Sequence, residues 1–364
     1  MQNEMKKDQE LSGIELLRFL CAFGVVVWHY QQFFFKGEWD PVTSEAMRPT
    51  FPCYSALKIF YENGSLAVPF FWVISGFIFN WHYARSIENR SVGMTEYILR
   101  RFSRLYPLHL ATLLAVVVGQ HYYFASHNSY FIYVWSKPIW FAAQLLFASN
   151  WFAREPLSFN GPIWSVSIEV LIYLVFFAAT RILRPGLRIS VVISLIFALL
   201  YYYSRTFLNP LVFSCGMYFF AGSVANQAMK FRPIFPLASA LAVALLLGLT
   251  LGAVPINDAS MLVLAMCVVI TSAGASNTAL RPGLRRVAFL GNATYSSYLL
   301  HFPLQLAMVL VVDFLGISRD IFYNPLALLL YLSLVIALSL LAHKFFEMPA
   351  QKLIRDRAGR HTRI

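Results

Sequence analysis

The sequence predicts an all-α, polytopic membrane protein: a bundle of about ten transmembrane helices with one extra short interfacial or re-entrant segment. Three observations predict it. Of the 364 residues 59% are hydrophobic and only 13% charged, and the mean hydropathy is +0.60, far from a soluble profile. Several apolar runs reach the roughly 20 residues that a bilayer core demands. Lys and Arg crowd into alternate connecting segments, as the positive-inside bias requires.

Residues 1–13 are polar and carry Lys6 and Lys7. The run that follows is too long for a signal peptide, contains Arg18 and ends in no small-residue cleavage site. It reads as a retained first helix over 14–35, preceded by a cytoplasmic segment. Further spans are predicted over 66–83, 105–122, 163–180, 189–204, 211–229, 234–253, 260–276, 290–315 and 325–344. The patch Pro138 to Ala148 is too short to decide by hydropathy, so charge decides it. Making it a span would place Arg181, Arg184 and Arg188 outside. Without it, the inner segments hold about three times as many Lys and Arg as the outer ones. Ten spans with both termini cytoplasmic follow, and residues 14–344 form one transmembrane domain. The tail 345–364, with Lys352, Arg355, Arg357, Arg360 and Arg363, reads as a contact with anionic membrane lipids.

The net charge of +12 is therefore a matter of topology, and no nucleic-acid partner is expected. The four cysteines show no CxxC spacing and the eight histidines no HxxxH or HExxH, so neither a disulfide framework nor a metal site is expected.

Ionisable residues inside spans cost several kcal/mol and need a reason. Arg18 and His29 share the first helix, and eleven residues bring them to nearly the same face with ~16 Å of axial rise between them. Histidine is the side chain best suited to taking and returning a proton near neutrality. The alternative is a snorkelling arginine and a histidine making one interhelical hydrogen bond. Arg100, Arg101 and Arg104, in RRFSRLYPLH before the third helix, fall within about one turn, where their forks suit a phosphorylated donor. Positive-inside bias alone also accounts for them. In GPIWSVSIEV, Pro162 fits a first helical position and Trp164 an interface belt. Glu169 is expected to be the only carboxylate well inside a span, at about the depth of His29, able to orient a histidine or bind a sugar hydroxyl or to serve a structural pair. Ser75, beside Gly76 in the second span, and His301, midway along the ninth, are possible cavity-lining residues. Close helix packing and a structural hydrogen bond are the alternatives. His82, His109 and His343 read as interfacial.

Six motifs in order, Arg18-x10-His29, FFWVISGF (70–77), RRFSRLYPL (100–108), GPIWSVSIEV (161–170), YSSYLLHFPL (295–304) and FFEMPAQKL (345–353), resemble the membrane acyltransferase-3 family over nearly the whole chain. The resemblance implies a ten-helix enzyme of the bacterial inner membrane, with acetyl-CoA or another acyl-CoA as donor substrate and a carbohydrate hydroxyl as acceptor. With no appended hydrolase-like domain, the chain is most similar to O-acetyltransferases of exopolysaccharides, O-antigens and nodulation lipo-oligosaccharides. The family's first-helix pair maps onto Arg18 and His29. Its basic motif maps onto Arg100, Arg101 and Arg104, and its Trp-Ser…Glu motif onto Trp164, Ser165 and Glu169. Pro69 departs from the acidic residue that many members carry before the FF. On this reading His29 is the base, Arg18 guides the donor and the arginine cluster docks its phosphates. A flippase for a lipid-linked glycan and a membrane scaffold are the other classes that fit ten helices.

Overall fold

The computed structural model describes residues 11–152, 155–184, 186–204, 206–231 and 233–361. Residues 1–10 and the basic residues Arg154, Arg205, Arg232 and Arg363 lie outside the described set. In chain order the helices are α1 (Ser12–Tyr30), α2 (Pro41–Met47), α3 (Tyr54–Asn63), α4 (Ala67–Glu88), α5 (Met94–His127), α6 (Pro138–Leu145), α7 (Trp164–Leu183) and α8 (Leu187–Tyr203). There follow α9 (Pro210–Ala228), α10 (Ile234–Thr250), α11 (Asp258–Ala275), α12 (Arg281–Val287), α13 (Thr294–Phe314), α14 (Pro325–Ala342) and α15 (Met348–His361). A 3-10 turn prolongs α1 over Gln31–Phe34, and a π-turn over His343–Glu347 joins α14 to α15. Among the described residues there is no strand, only an isolated bridge between Glu38 and Ile132.

Among the described residues, seven helical stretches are long and apolar enough to cross a membrane, which makes this a multi-pass membrane protein. They are Ser12–Phe34, Tyr54–Glu88, Met94–His127, Gly161–Leu183, Asp258–Ala275, Arg281–Phe314 and Pro325–Ala358. The expected count of about ten is not confirmed. Helices α8 and α10 have 17 residues each, and α9 mixes Ser, Gly, Asn and Gln with its apolar side chains. The boundaries also change at the third span. Helix α5 starts at Met94, so Arg100, Arg101 and Arg104 lie within a helix and not in a loop. Pro107 sits inside α5 as an interior proline, which a membrane helix tolerates when neighbouring groups take up the freed carbonyl. The ambiguous patch becomes α6, eight residues long and too short to span.

The chain gathers into two compact units, each built from separate stretches of sequence. The first holds Met1–Cys21, Val68–Gly93 and Glu169–Asn292. Its closest helix crossing joins α4 to α9. A Cβ at Gly76 would run into the Phe219 carbonyl, and one at Gly222 into the Val73 carbonyl, so the two backbones touch where each lacks a side chain. Ser75 is half-buried beside that crossing. Phe79 stacks on Tyr173 at 4.2 Å, and Ser194 donates to the Met217 carbonyl at 2.8 Å, tying α8 to α9. The start of α1 belongs here too, with Gly13 donating its backbone N–H to Ser276 Oγ at 2.9 Å.

The second unit holds Ala22–Ala67, Met94–Ile168 and Ala293–Ile364. Its core packs Tyr30, Phe33, Phe131, Phe302, Phe322 and Tyr331 between α1, α5, α13 and α14. One end is closed by a bidentate pair, Arg319 to Asp313 at 3.0 and 2.6 Å, with Arg319 also donating to the Tyr123 hydroxyl at 3.0 Å. The basic tail forms helix α15, packed on α5. Arg355 donates from Nε to Ser103 Oγ at 3.1 Å and from Nη2 to the Arg100 carbonyl at 3.4 Å.

The Gly76 crossing yields a prediction. Gly76→Val should destabilise the protein by about 1–3 kcal/mol through overpacking, read as a lower melting temperature in detergent. Gly93→Ala, where an added Cβ meets nothing within 4 Å, should leave the melting temperature unchanged.

Candidate active site

The second unit brings two histidines together. His29 is in the last turn of α1 and His301 in the second turn of α13, and their ring centroids are 4.6 Å apart with the planes tilted by 52°. Each imidazole is tied to the carbonyl one turn earlier in its own helix. His29 Nδ1 is 2.9 Å from the Val25 oxygen and His301 Nδ1 is 3.1 Å from the Ser297 oxygen. A carbonyl only accepts, so both Nδ1 atoms carry the proton and both Nε2 atoms present a lone pair in the neutral ring. His29 is half-buried, leaving part of its ring accessible. His301 is fully buried, and its Nε2 has no hydrogen-bond partner.

Around the pair lie groups that fix position. Gln305, one turn beyond His301, donates its amide Nε2 to the His29 backbone carbonyl at 3.1 Å and joins α13 to α1. The Tyr331 hydroxyl donates to the His301 carbonyl at 3.3 Å. The Trp28 ring meets the His29 ring edge-on at 4.7 Å and the Trp39 ring at 5.1 Å. Tyr298 donates its hydroxyl proton to the Pro162 carbonyl at 2.9 Å, so Ser165 Oγ, 2.6 Å away, is the donor to the tyrosine oxygen. Ser165 is thereby buried in a hydroxyl chain, while Trp164 is half-buried at the start of α7. The turn before α7 is itself anchored, with Asn160 donating to Leu299 O and Thr112 Oγ1, both at 3.3 Å.

The other expected residues have partners of their own. Arg18 Nη1 bonds Glu15 Oε2 at 2.8 Å, so its charge is balanced within the first turns of α1. Gly291 lacks the Cβ that would collide with that Glu15 carboxylate. Glu169, buried in the first unit, accepts from the Tyr173 hydroxyl at 2.6 Å. The atom expected to need an orienting carboxylate, His29 Nδ1, is already held by the Val25 carbonyl. Arg100, Arg101 and Arg104 share one face of α5 through i,i+3 and i,i+4 spacing, and Arg100 bonds Glu96 at 2.5 Å.

Sequence reasoning missed Gln305, although a polar residue four after His301 in an apolar helix was a usable signal. It missed Arg355, whose place on α5 depends on tertiary packing. It also missed that Glu169 is not the sole carboxylate buried in a spanning stretch. Glu347 in the π-turn is buried, accepts from Ser296 Oγ at 2.6 Å and pairs with His343 Nδ1 at 3.1 Å. His109, expected at an interface, is fully buried and donates from Nε2 to the Gln144 carbonyl at 2.8 Å.

An acyltransferase MdmB from Streptomyces mycarofaciens is 31% identical over 131 residues, a stretch covering 33% of this chain and 30% of that relative. The chain thus spans under a third of the curated relative it matches. No solved structure matches. The profile of the acyltransferase-3 family, described as an acyltransferase domain, matches residues 11–344. This membrane chain, with its paired helix-tethered histidines, belongs to the acyltransferase-3 family.

Proposed function

We propose that the protein is a membrane O-acyltransferase that moves an acyl group, foremost acetyl, from a CoA thioester to a hydroxyl of an exopolysaccharide, O-antigen or nodulation-type lipo-oligosaccharide. The observation that carries the reading is the tautomer-locked His29, half-buried beside His301, in a chain matched by the family profile over residues 11–344. With Nδ1–H fixed on Val25, His29 Nε2 is the atom able to take a proton. The acceptor oxygen gives its proton to Nε2 as it attacks the thioester carbonyl. The tetrahedral intermediate then collapses, the C–S bond breaks, and the imidazolium returns the proton to the departing CoA sulfur. The Val25 carbonyl, facing Nδ1–H, favours the transient imidazolium.

The donor side is assigned to Arg100, Arg101 and Arg104, whose guanidiniums suit the phosphates of CoA. Arg18 precedes His29 by eleven residues on α1, and on this reading it guides the acyl-bearing arm. Glu169 enters through the family motif, as a buried carboxylate for a sugar hydroxyl. The positive-inside bias supports an inner-membrane enzyme with both termini and the arginine face in the cytosol, where acyl-CoA is made.

His29→Ala should lower acyl transfer by about 10²–10⁴-fold, the usual contribution of a general base, with insertion and melting temperature retained. A folded His29→Ala protein that transfers at the parental rate would end the mechanism. Alanine at Arg100, Arg101 and Arg104 together should raise KM for acyl-CoA at least tenfold, since each charge-assisted hydrogen bond is worth about 1.5–3 kcal/mol. An unchanged donor KM would move the donor site elsewhere. Proton NMR of surface and secreted glycans should show O-acetyl signals that vanish on deletion of the protein. Unchanged acetylation with stalled glycan export would identify a flippase.

A further inference from the structure

On the face of α13 that meets His29, two buried acceptors have no donors. His301 Nε2 and Gln305 Oε1 belong to side chains with no accessible surface, and neither atom has a hydrogen-bond partner. Their identities as acceptors are fixed by what the other end of each side chain does. His301 spends its only N–H on the Ser297 carbonyl, and Gln305 directs Nε2 to the His29 carbonyl, which cannot donate. The two residues are one turn apart on α13, so they share a face, and both adjoin His29: one by ring contact at 4.6 Å, the other by the 3.1 Å hydrogen bond.

A buried acceptor left unpaired costs roughly 1–3 kcal/mol, so an occupant that brings protons to these two, which adjoin the half-buried His29, is favoured. A carboxylate or phosphate is unsuitable, because it would present lone pairs to lone pairs. An apolar alcohol satisfies one acceptor at most. A molecule with several neighbouring O–H groups satisfies all three nitrogen and oxygen acceptors at once.

We propose that His301 Nε2 and Gln305 Oε1 are specificity-determining acceptors that take hydrogen bonds from hydroxyls flanking the one His29 deprotonates, so that the site selects a neutral polyol over a lone alcohol. This rests on the acyltransferase reading above and adds the residues that read the acceptor. The loss on replacing an acceptor falls on polyols, because the site is then short of a partner for a desolvated hydroxyl.

The test uses the full-length protein in nanodiscs with acetyl-CoA as donor. The acceptors are methyl β-glucopyranoside and cyclohexanol, two six-membered rings that differ in hydroxyl number. The parental protein should favour the glucoside in kcat/KM. Gln305→Met should reduce that preference about tenfold, through the glucoside KM, the loss of about one hydrogen bond's worth of binding. Gln305→Glu, which keeps an acceptor oxygen, should restore much of it. An unchanged preference overturns the proposal, as does an equal loss toward both acceptors, which would mark the two atoms as partners of internal water. Should Gln305→Met fail to fold, His301→Phe is read by the same ratio. If the parental protein acetylates neither alcohol, it is the acyltransfer reading that falls, and the inference falls with it.

Discussion

The interior of the second unit depends on hydrogen bonds that two imidazoles make to their own helices. In an α-helix the carbonyl of residue i−4 already accepts the backbone N–H of residue i, but it has a second lone pair. Val25 and Ser297 offer that lone pair to Nδ1 of His29 and His301. The tautomer of each ring is therefore set by local geometry, with no carboxylate from elsewhere in the fold. Serine hydrolases use a buried aspartate for the same purpose. A dipole in place of a full charge suits a lipid environment, where an isolated ionised group is costly.

The bilayer imposes a second rule: irregular backbone survives only where protein covers it and answers its polar groups. The segment between α5 and α7 obeys it. Gln120 accepts the Phe131 N–H at 2.9 Å and donates to the Phe131 carbonyl at 2.8 Å, holding a non-helical residue as a neighbouring strand would. Trp151 donates to the Ser167 carbonyl at 2.9 Å, and Asn160 anchors the turn into α7. Several residues here have left-handed backbones, Ile132 (φ 62°), Phe147 (φ 51°) and Phe159 (φ 46°) among them. Left-handed Ile and Phe are uncommon, and such strain persists only where surrounding contacts over-determine it.

The sequence made helix type and rough position legible because hydropathy and charge report directly on the bilayer. It also brought out His29, His301 and the arginines, since ionisable or polar residues in apolar runs are few, while Ser165 entered only through the family motif. It read 189–204 and 234–253 as spans, whereas α8 and α10 are 17 residues each, where length and composition alone are marginal. Pro107, near the start of the span expected over 105–122, lies deep inside α5, because membrane helices carry proline internally. Glu347 hid because FFEMP reads as the end of a helix, whereas a π-turn carries the chain on and buries the carboxylate. Arg355 and Gln305 were recoverable only through tertiary neighbours, which single-helix periodicity does not contain.

The docking of α15 on α5 has a consequence in time. Arg355 leaves the ribosome 252 residues after Ser103 and 255 after Arg100, the two residues it joins. Until Arg355 is made, the head of α5 waits without that contact. A premature stop anywhere before Arg355 thus leaves the basic face unfinished, even when all the spans have been threaded.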